Sequence, residues 1–197
     1  MITKNSNPID LLSGMEVNST IKMFFQLSHL KQLYRQGWLQ RNVPREKCES
    51  VSDHSFCVSL FSYFIAKQFY PHLNLEKVLL MSLIHDVGEI YAGDITPSDN
   101  VSDEEKHLIE KASILQLFKD FPNRDYYISI WEEYEEKSSP EALFVKEIDK
   151  LEMILQASVY EKQGYPITQD FFDCGEKHLS LKELKQILNE IISIRTF

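Results

Sequence analysis

Apolar residues recur along this chain at helical spacing, and the densest run, Val78 to Val87, is apolar on nearly every side except where His85 and Asp86 interrupt it. A helix of that kind belongs in the centre of a fold, so the pattern predicts that both ionisable residues are buried. Such a pair taken out of water costs several kcal/mol unless a charged partner, hydrogen bonds or a metal ion compensates. Adjacent helical residues point about 100° apart, so these two converge on one ion only if other segments supply further ligands.

The rest of the pattern divides into helices with recognisable starts. Ile21, Phe24, Phe25, Leu27, Leu30 and Leu33 predict a helix over 18–33, with Asn18 or Ser19 as N-cap and Gly37 as its stop. Residues 35–45 read as a solvated loop with three arginines and an exposed-looking Trp38 that packs its ring on the core. Ser50 opens a helix to about Tyr70 whose apolar side carries Val58, Phe61, Phe64, Ile65 and Phe69. His54 precedes Val58 by four residues and Phe61 by seven, which turns it inward at the first helical turn.

Asn74 caps the central helix, which is expected to run to Gly93 and to place Glu89 one turn beyond His85 on the same face. Residues 92–100 form a loop in which Asp94 and Asp99 suit turn chemistry. Ser102 and Glu105 make a capping box for a helix to about Asp120, with His107 among charged, exposed neighbours. A further helix spans 124–136, its acidic run read as a solvated face. Ser139 and Pro140 start a long helix to about Gln163, along which Leu143, Phe144, Ile148, Leu151, Leu155 and Val159 form the stripe that Asp149 borders. Ser180 to Glu183 reads as the cap of a last helix ending near Ile194. No strand pattern remains, so the expectation is an all-α bundle of about eight helices in one domain, 1–197.

Composition narrows the class. The chain has 197 residues, 43% hydrophobic and 26% charged, which is enough for a sizeable core. Its net charge of −9 repels polyphosphate, which argues against nonspecific nucleic-acid binding and for a small ligand held by local positive charge. Three scattered cysteines make no disulfide framework and no C-x-x-C pair. No signal peptide and no membrane span is evident, and the chain reads as cytosolic with reduced thiols.

The inward polar residues are then His54, His85, Asp86 and Asp149. Singly, each has an ordinary structural explanation: a hydrogen-bonded core histidine, or a salt bridge from Asp149 to Lys146 or Lys150. Jointly, two imidazoles and two carboxylates in hydrophobic helices suit a divalent ion such as Zn, Co, Mn, Fe or Mg. The order His, His-Asp, Asp resembles the signature of the HD-domain metal-dependent phosphohydrolases. The surrounding series is more specific: Arg41-Asn-Val, Val51-Ser-Asp-His54, His85-Asp86-x-x-Glu89, Gly93-Asp94-Ile-Thr-Pro97, Phe144-Val-Lys-x-x-Asp149 and Met153-Ile-Leu-Gln-Ala157. It is similar to the 5'-deoxynucleotidase family over roughly residues 20–165, leaving 166–197 as a helical extension.

That resemblance implies an HD-domain helical bundle, a divalent metal on His54, His85, Asp86 and Asp149, and catalytic carboxylates at Glu89 and Asp94. It also implies a substrate pocket walled by Asp94, Ile95, Thr96 and Pro97, with Arg35, Trp38 and Arg41 orienting phosphate and nucleoside. A nucleotide substrate and a homodimer follow from the same likeness. Competing functions are a cyclic-nucleotide or alarmone hydrolase and a non-catalytic nucleotide sensor. The first expects more inward histidines than His29, His72, His107 and His178 provide, and the second has no need of Glu89.

Overall fold

Capping chemistry sets most of the helix starts in the computed structural model, which describes residues 1–195; residues 196 and 197 of the C-terminal extension lie outside the described residues. Ten α-helices occur in chain order among them: α1 Ser19–Leu27, α2 Gln36–Leu39, α3 Val51–Phe69, α4 Leu75–Ile84, α5 Glu89–Ala92, α6 Asp103–Leu117, α7 Arg124–Glu136, α8 Pro140–Lys162, α9 Asp170–His178 and α10 Lys182–Ser193. Two of these, α2 and α5, are single turns, so eight are longer, as the sequence pattern predicts. Strands are absent among the described residues apart from two isolated bridges, Thr3 with Leu33 and Tyr34 with Ser50.

The side chains of Asn18, Ser50, Asn74, Ser102 and Ser139 each accept a backbone N–H at the head of α1, α3, α4, α6 and α8, satisfying donors that the first turn leaves free. At Ser50 the box is reciprocal, with Asp53 Oδ2 accepting from the Ser50 N–H at 2.8 Å.

Four boundaries depart from the sequence expectation. Helix α1 ends at Leu27 rather than near 33, because the Ser28 hydroxyl donates to the Phe24 carbonyl and a 3-10 turn, Ser28–Lys31, follows. Gly37 stops nothing, since it lies inside α2. Ser180 does not cap α10. Its N–H and that of Leu181 both donate to buried Glu147 of α8, at 2.8 and 2.9 Å, so a tertiary carboxylate displaces the local cap. Helix α9 was unforeseen.

The fourth departure positions the site. The central helix stops at Ile84, and His85 to Gly88 form tight turns in which Val87 N–H donates to Ile84 O and Glu89 N–H to Asp86 O. A side chain at Gly88 would meet the Glu110 Cβ at 3.1 Å and its carbonyl at 3.3 Å, so glycine lets α6 press against the turn. Gly93, at φ 81°, then ends α5 in a conformation that side chains resist. Trp131 Nε1 donates to the His85 carbonyl at 3.2 Å, which satisfies a group the break leaves open.

Helix α8 packs on α3, α4, α7, α9 and α10 and carries the larger core, with Phe144, Ile148, Leu151 and Ile154 against Val58, Val78 and Met81. A smaller core gathers Leu33, Val51, Val87, Ile90, Ile114 and Trp131. Ile84 packs on both cores, so the polar turn that follows it lies at their seam. Among the described residues, no helix is long and apolar enough to cross a membrane.

Candidate metal centre and adjoining cleft

Two helices, α3 and α8, and the turn after α4 bring the four candidate ligands together. His54 enters from the first turn of α3, His85 and Asp86 from the broken end of α4, and Asp149 from the middle of α8. His54 Nε2 lies 3.2 Å from Asp149 Oδ1 and 3.6 Å from Asp86 Oδ2, and His85 Nε2 lies 3.3 Å from Asp86 Oδ2. His54, His85 and Asp149 each offer a ligand atom within 4.8 Å of the others. The turn resolves the 100° divergence expected of neighbours on an unbroken helix.

Both histidines are buried, whereas the Asp86 and Asp149 side chains keep 18% and 11% of their surface. Asp149 also takes the salt bridge that sequence reading offered as its alternative, with Lys150 Nζ at 3.2 Å, and accepts from the Tyr134 hydroxyl at 3.4 Å.

The donor set fits a divalent ion on two observations. His85 Nε2 and Asp86 Oδ2 are buried without a hydrogen-bond partner among the described residues, an expensive state for polar atoms that a metal removes. Burial and Arg35 pull the His54 pKa down, but its hydrogen bonds to Asp149 and Glu152 outweigh them and push it up to about 10. Surroundings negative enough to favour that proton also favour a cation in its place, since ligation needs the neutral ring. Burial likewise works against ionised Asp86 and Asp149, yet His85 holds the first and Lys150 and His54 hold the second well below the usual carboxylate range.

Glu89 is the opposite case. It is buried, its Oε2 has no hydrogen-bond partner, and burial followed by repulsion from Asp86 and Asp94 raises its pKa well above the ordinary value. Arg35 stands among the carboxylates, with Nη1 3.0 Å from Asp94 Oδ1, 3.6 Å from Asp86 and 3.7 Å from Glu89. Burial opposes its charge, but these acids more than compensate and raise its pKa further. Asp94 also accepts the Gln36 N–H, so it pins the start of α2 as well as Arg35.

A cleft of about 420 Å³ adjoins this cluster, within the range of small-molecule sites. Arg35, Trp38, Arg41, Asp94, Ile95, Thr96 and Pro97, the residues that the resemblance implies for substrate, all line it. Trp38 is buried rather than exposed: its indole N–H donates to Glu49 at 2.7 Å and its ring stacks on Phe171 of α9 at 4.7 Å. Arg41 lies over the same Phe171 ring and pairs with Asp170 at 2.8 Å. Thr96 accepts from Gln40 Nε2, and Asp99 closes a capping box on Thr96, so the turn chemistry expected of Asp99 is what the loop uses.

Sequence reading missed several neighbours. Lys106 and Lys150 add cations to the cleft, and Phe171, Met153 and Cys174 add an apolar side. Tyr134 sits three residues after Trp131 on the buried face of α7, a spacing that the acidic run concealed. Glu152 follows Asp149 by three residues on α8 and lies 2.7 Å from His54 Nδ1. Nothing local to Phe171 signals its place. His29 is buried, contrary to expectation, but in a different setting, near Asp10, and His107 is half-buried, stacked on Trp131.

Glu110, behind Gly88, gives a pH-dependent prediction. Burial, only partly offset by Lys106, raises its carboxyl to about 7 from an ordinary value near 4.5. The folded state therefore retains a proton that the unfolded chain releases, and stability falls as pH rises from about 4.5 to about 7. Glu110→Gln removes that loss. Its thermal midpoint should match the parent at pH 4.5 and exceed it at pH 8 by several degrees, the scale of roughly 1–3 kcal/mol in a chain of this size. Equal differences at both pH values would show that Glu110 does not titrate in this window.

Residues 27–188 match the family described as HD domain. The bovine (Bos taurus) 5'-deoxynucleotidase HDDC2 is 38% identical over 194 residues, covering 95% of this chain and 91% of that protein. The human (Homo sapiens) 5'-deoxynucleotidase HDDC2 is 37% identical over 190 residues, covering 93% and 90%. Among solved structures, the PH0347 protein from Pyrococcus horikoshii superposes with a TM-score of 0.74 at 32% identity, over 89% of this chain and 99% of that one.

Proposed function

Because this chain belongs to the HD domain family, we propose that it hydrolyses 5'-deoxynucleoside monophosphates to the deoxynucleoside and inorganic phosphate. The observation that carries the reading is the His54, His85 and Asp149 cluster beside a cleft lined with arginine and lysine. The activity named for relatives 37–38% identical over nearly the whole chain supports it.

In this reading His54, His85, Asp86 and Asp149 hold one divalent ion, which when bound supplies Lewis-acid neutralisation of phosphate charge and activation of water. Glu89 is the general acid that protonates the departing 5'-oxygen, its carboxyl kept protonated by burial and by Asp86 and Asp94. Asp94 contributes through Arg35, whose guanidinium it holds at 3.0 Å beside Glu89 and Asp86. Arg35, Lys106 and Lys150 orient the phosphate as fixed positive charge on a chain of net charge −9. Ile95, Pro97 and Phe171, backed by Trp38, hold the nucleoside by apolar contact, while Thr96 and Arg41 fix the loop and the rim. The proposal extends to a cytoplasmic homodimer of one 197-residue domain.

A cleft of this kind has no evident means of reading a base edge, so several bases should be accepted. Exclusion of the ribose 2'-hydroxyl by packing is worth roughly 10² in selectivity. Steady-state kcat/KM on dAMP, dGMP, dCMP, dTMP, AMP, 3'-dAMP and dATP tests this by phosphate release. The four 5'-deoxynucleotides should fall within about tenfold of one another and exceed AMP by up to about 10², with 3'-dAMP and dATP poor. AMP equal to dAMP would remove the deoxy preference, and dATP as best substrate would overturn the monophosphatase reading.

A further inference from the structure

Both ring nitrogens of His54 are engaged by carboxylates, from different sides. Nε2 faces Asp149 and Asp86 at 3.2 and 3.6 Å, the side on which the metal would be held. Nδ1, on the other edge, lies 2.7 Å from Glu152 Oε2. A ring that gives its Nε2 lone pair to a cation keeps one proton, and the 2.7 Å contact with Glu152, a carboxylate acceptor, holds that proton on Nδ1. His85 reaches the same state by different means, since its Nδ1 donates to the Ser82 carbonyl at 2.7 Å and its Nε2 also faces inward. The two partners differ in strength: a backbone carbonyl offers a dipole, whereas a carboxylate offers a full charge that makes the opposite nitrogen more basic.

Glu152 is itself buried, at 6% exposure, and comes from α8 one turn beyond Asp149. The same helix thus supplies one ligand directly and a hydrogen-bond acceptor for a second ligand on α3. A second, half-buried acid, Glu49, approaches so closely that one oxygen of each carboxylate and a His54 nitrogen all lie within 4.8 Å. Glu49 is in turn fixed by the Trp38 indole N–H at 2.7 Å. Trp38, Glu49, Glu152 and His54 thus lie in succession from the wall of the cleft to the cluster, with Glu49 and Glu152 near one another but not bonded.

We propose that Glu152 is a positioning residue that holds His54 in the Nδ1–H form, turns Nε2 toward Asp86 and Asp149, and strengthens that nitrogen as a donor to a divalent cation. The inference rests on the cluster being a metal site, and it is independent of which phosphate ester is hydrolysed. A carboxylate that merely braces the fold would not alter metal affinity once the apo protein is folded, so affinity is the discriminating readout.

The test uses the full chain stripped by a chelator and titrated with Co²⁺ alone, followed by visible absorption and by competition with a chelating dye. Apo thermal midpoints of each variant report folding. E152Q keeps an acceptor for Nδ1–H but loses the charge, and should weaken Co²⁺ binding about tenfold; E152L loses both and should weaken it about a hundredfold. Proton-detected ¹⁵N spectra of the Zn²⁺-loaded, histidine-labelled parent should show the His54 proton on Nδ1. Affinities within twofold of the parent in both variants would overturn the proposal, and E152Q alone decides it if E152L does not fold. A proton on Nε2 would also overturn it, because the ion would then lie on the Glu49 and Glu152 side of the ring. Failure of the parent itself to bind Co²⁺ would instead remove the metal reading on which the proposal rests.

Discussion

His85→Ala and Asp149→Asn should each abolish phosphate release and each purify with little bound metal. The two substitutions remove ligand capacity in different ways. His85→Ala deletes an imidazole whose inward Nε2 has no hydrogen-bond partner among the described residues, while the Trp131 bond to the residue 85 carbonyl remains available to hold the turn. Asp149→Asn keeps the shape of the side chain and an acceptor for Tyr134, but removes the charge that faces His54 and Lys150.

A metal that binds the folded state stabilises it by about 2.7 kcal/mol when present at a hundred times its dissociation constant. The parent should therefore lose several degrees of thermal midpoint on chelation and regain them with added metal, whereas both variants should show no such increment. The increment is more informative than the absolute midpoint, since Asp149→Asn also weakens ion pairs that exist without metal. Full metal stoichiometry in both variants, measured by elemental analysis, would refute the ligand assignment.

Glu89→Gln should keep the metal and lose turnover. Glutamine has the size of glutamate and the neutrality of the protonated carboxyl that burial and the nearby acids favour, so neither the fold nor the ligand set should change. It cannot deliver a proton to a leaving oxygen. The expected loss is about 10²- to 10⁴-fold in kcat, the usual contribution of a positioned acid or base, with KM and metal content near those of the parent. A kcat within threefold of the parent would assign proton transfer to another group, and loss of metal together with activity would make Glu89 a ligand instead.

These two outcomes separate the roles of residues that sequence alone groups together. His85, Asp86 and Glu89 fall within five positions. A continuous helix would give each a fixed angular offset, and the expectation that Glu89 follows His85 on one helical face rests on that continuity. The break at Ile84 changes the geometry: His85 and Asp86 approach one another at 3.3 Å, and Glu89 begins a new single turn facing Arg35.

Local periodicity and capping are the part of this fold that a short window of sequence encodes. The starts of α1, α3, α4, α6 and α8 follow from side chains that satisfy the orphan amides of a first turn within three residues. The inward facing of His54, His85 and Asp149 follows from their positions in apolar helical runs, which is why their cluster was legible in the sequence. Tertiary structure decided what depends on partners distant in the chain. Glu147 captured Ser180 across 33 residues and cancelled a local cap; α6, admitted by Gly88, bears on the turn that ends the central helix. Phe171 met Trp38 across the cleft, and Glu152 met His54 across 98 residues. In each case the energy lies in a buried contact whose second member no window of sequence contains, so the pattern that reveals a helix face cannot reveal what that face will meet.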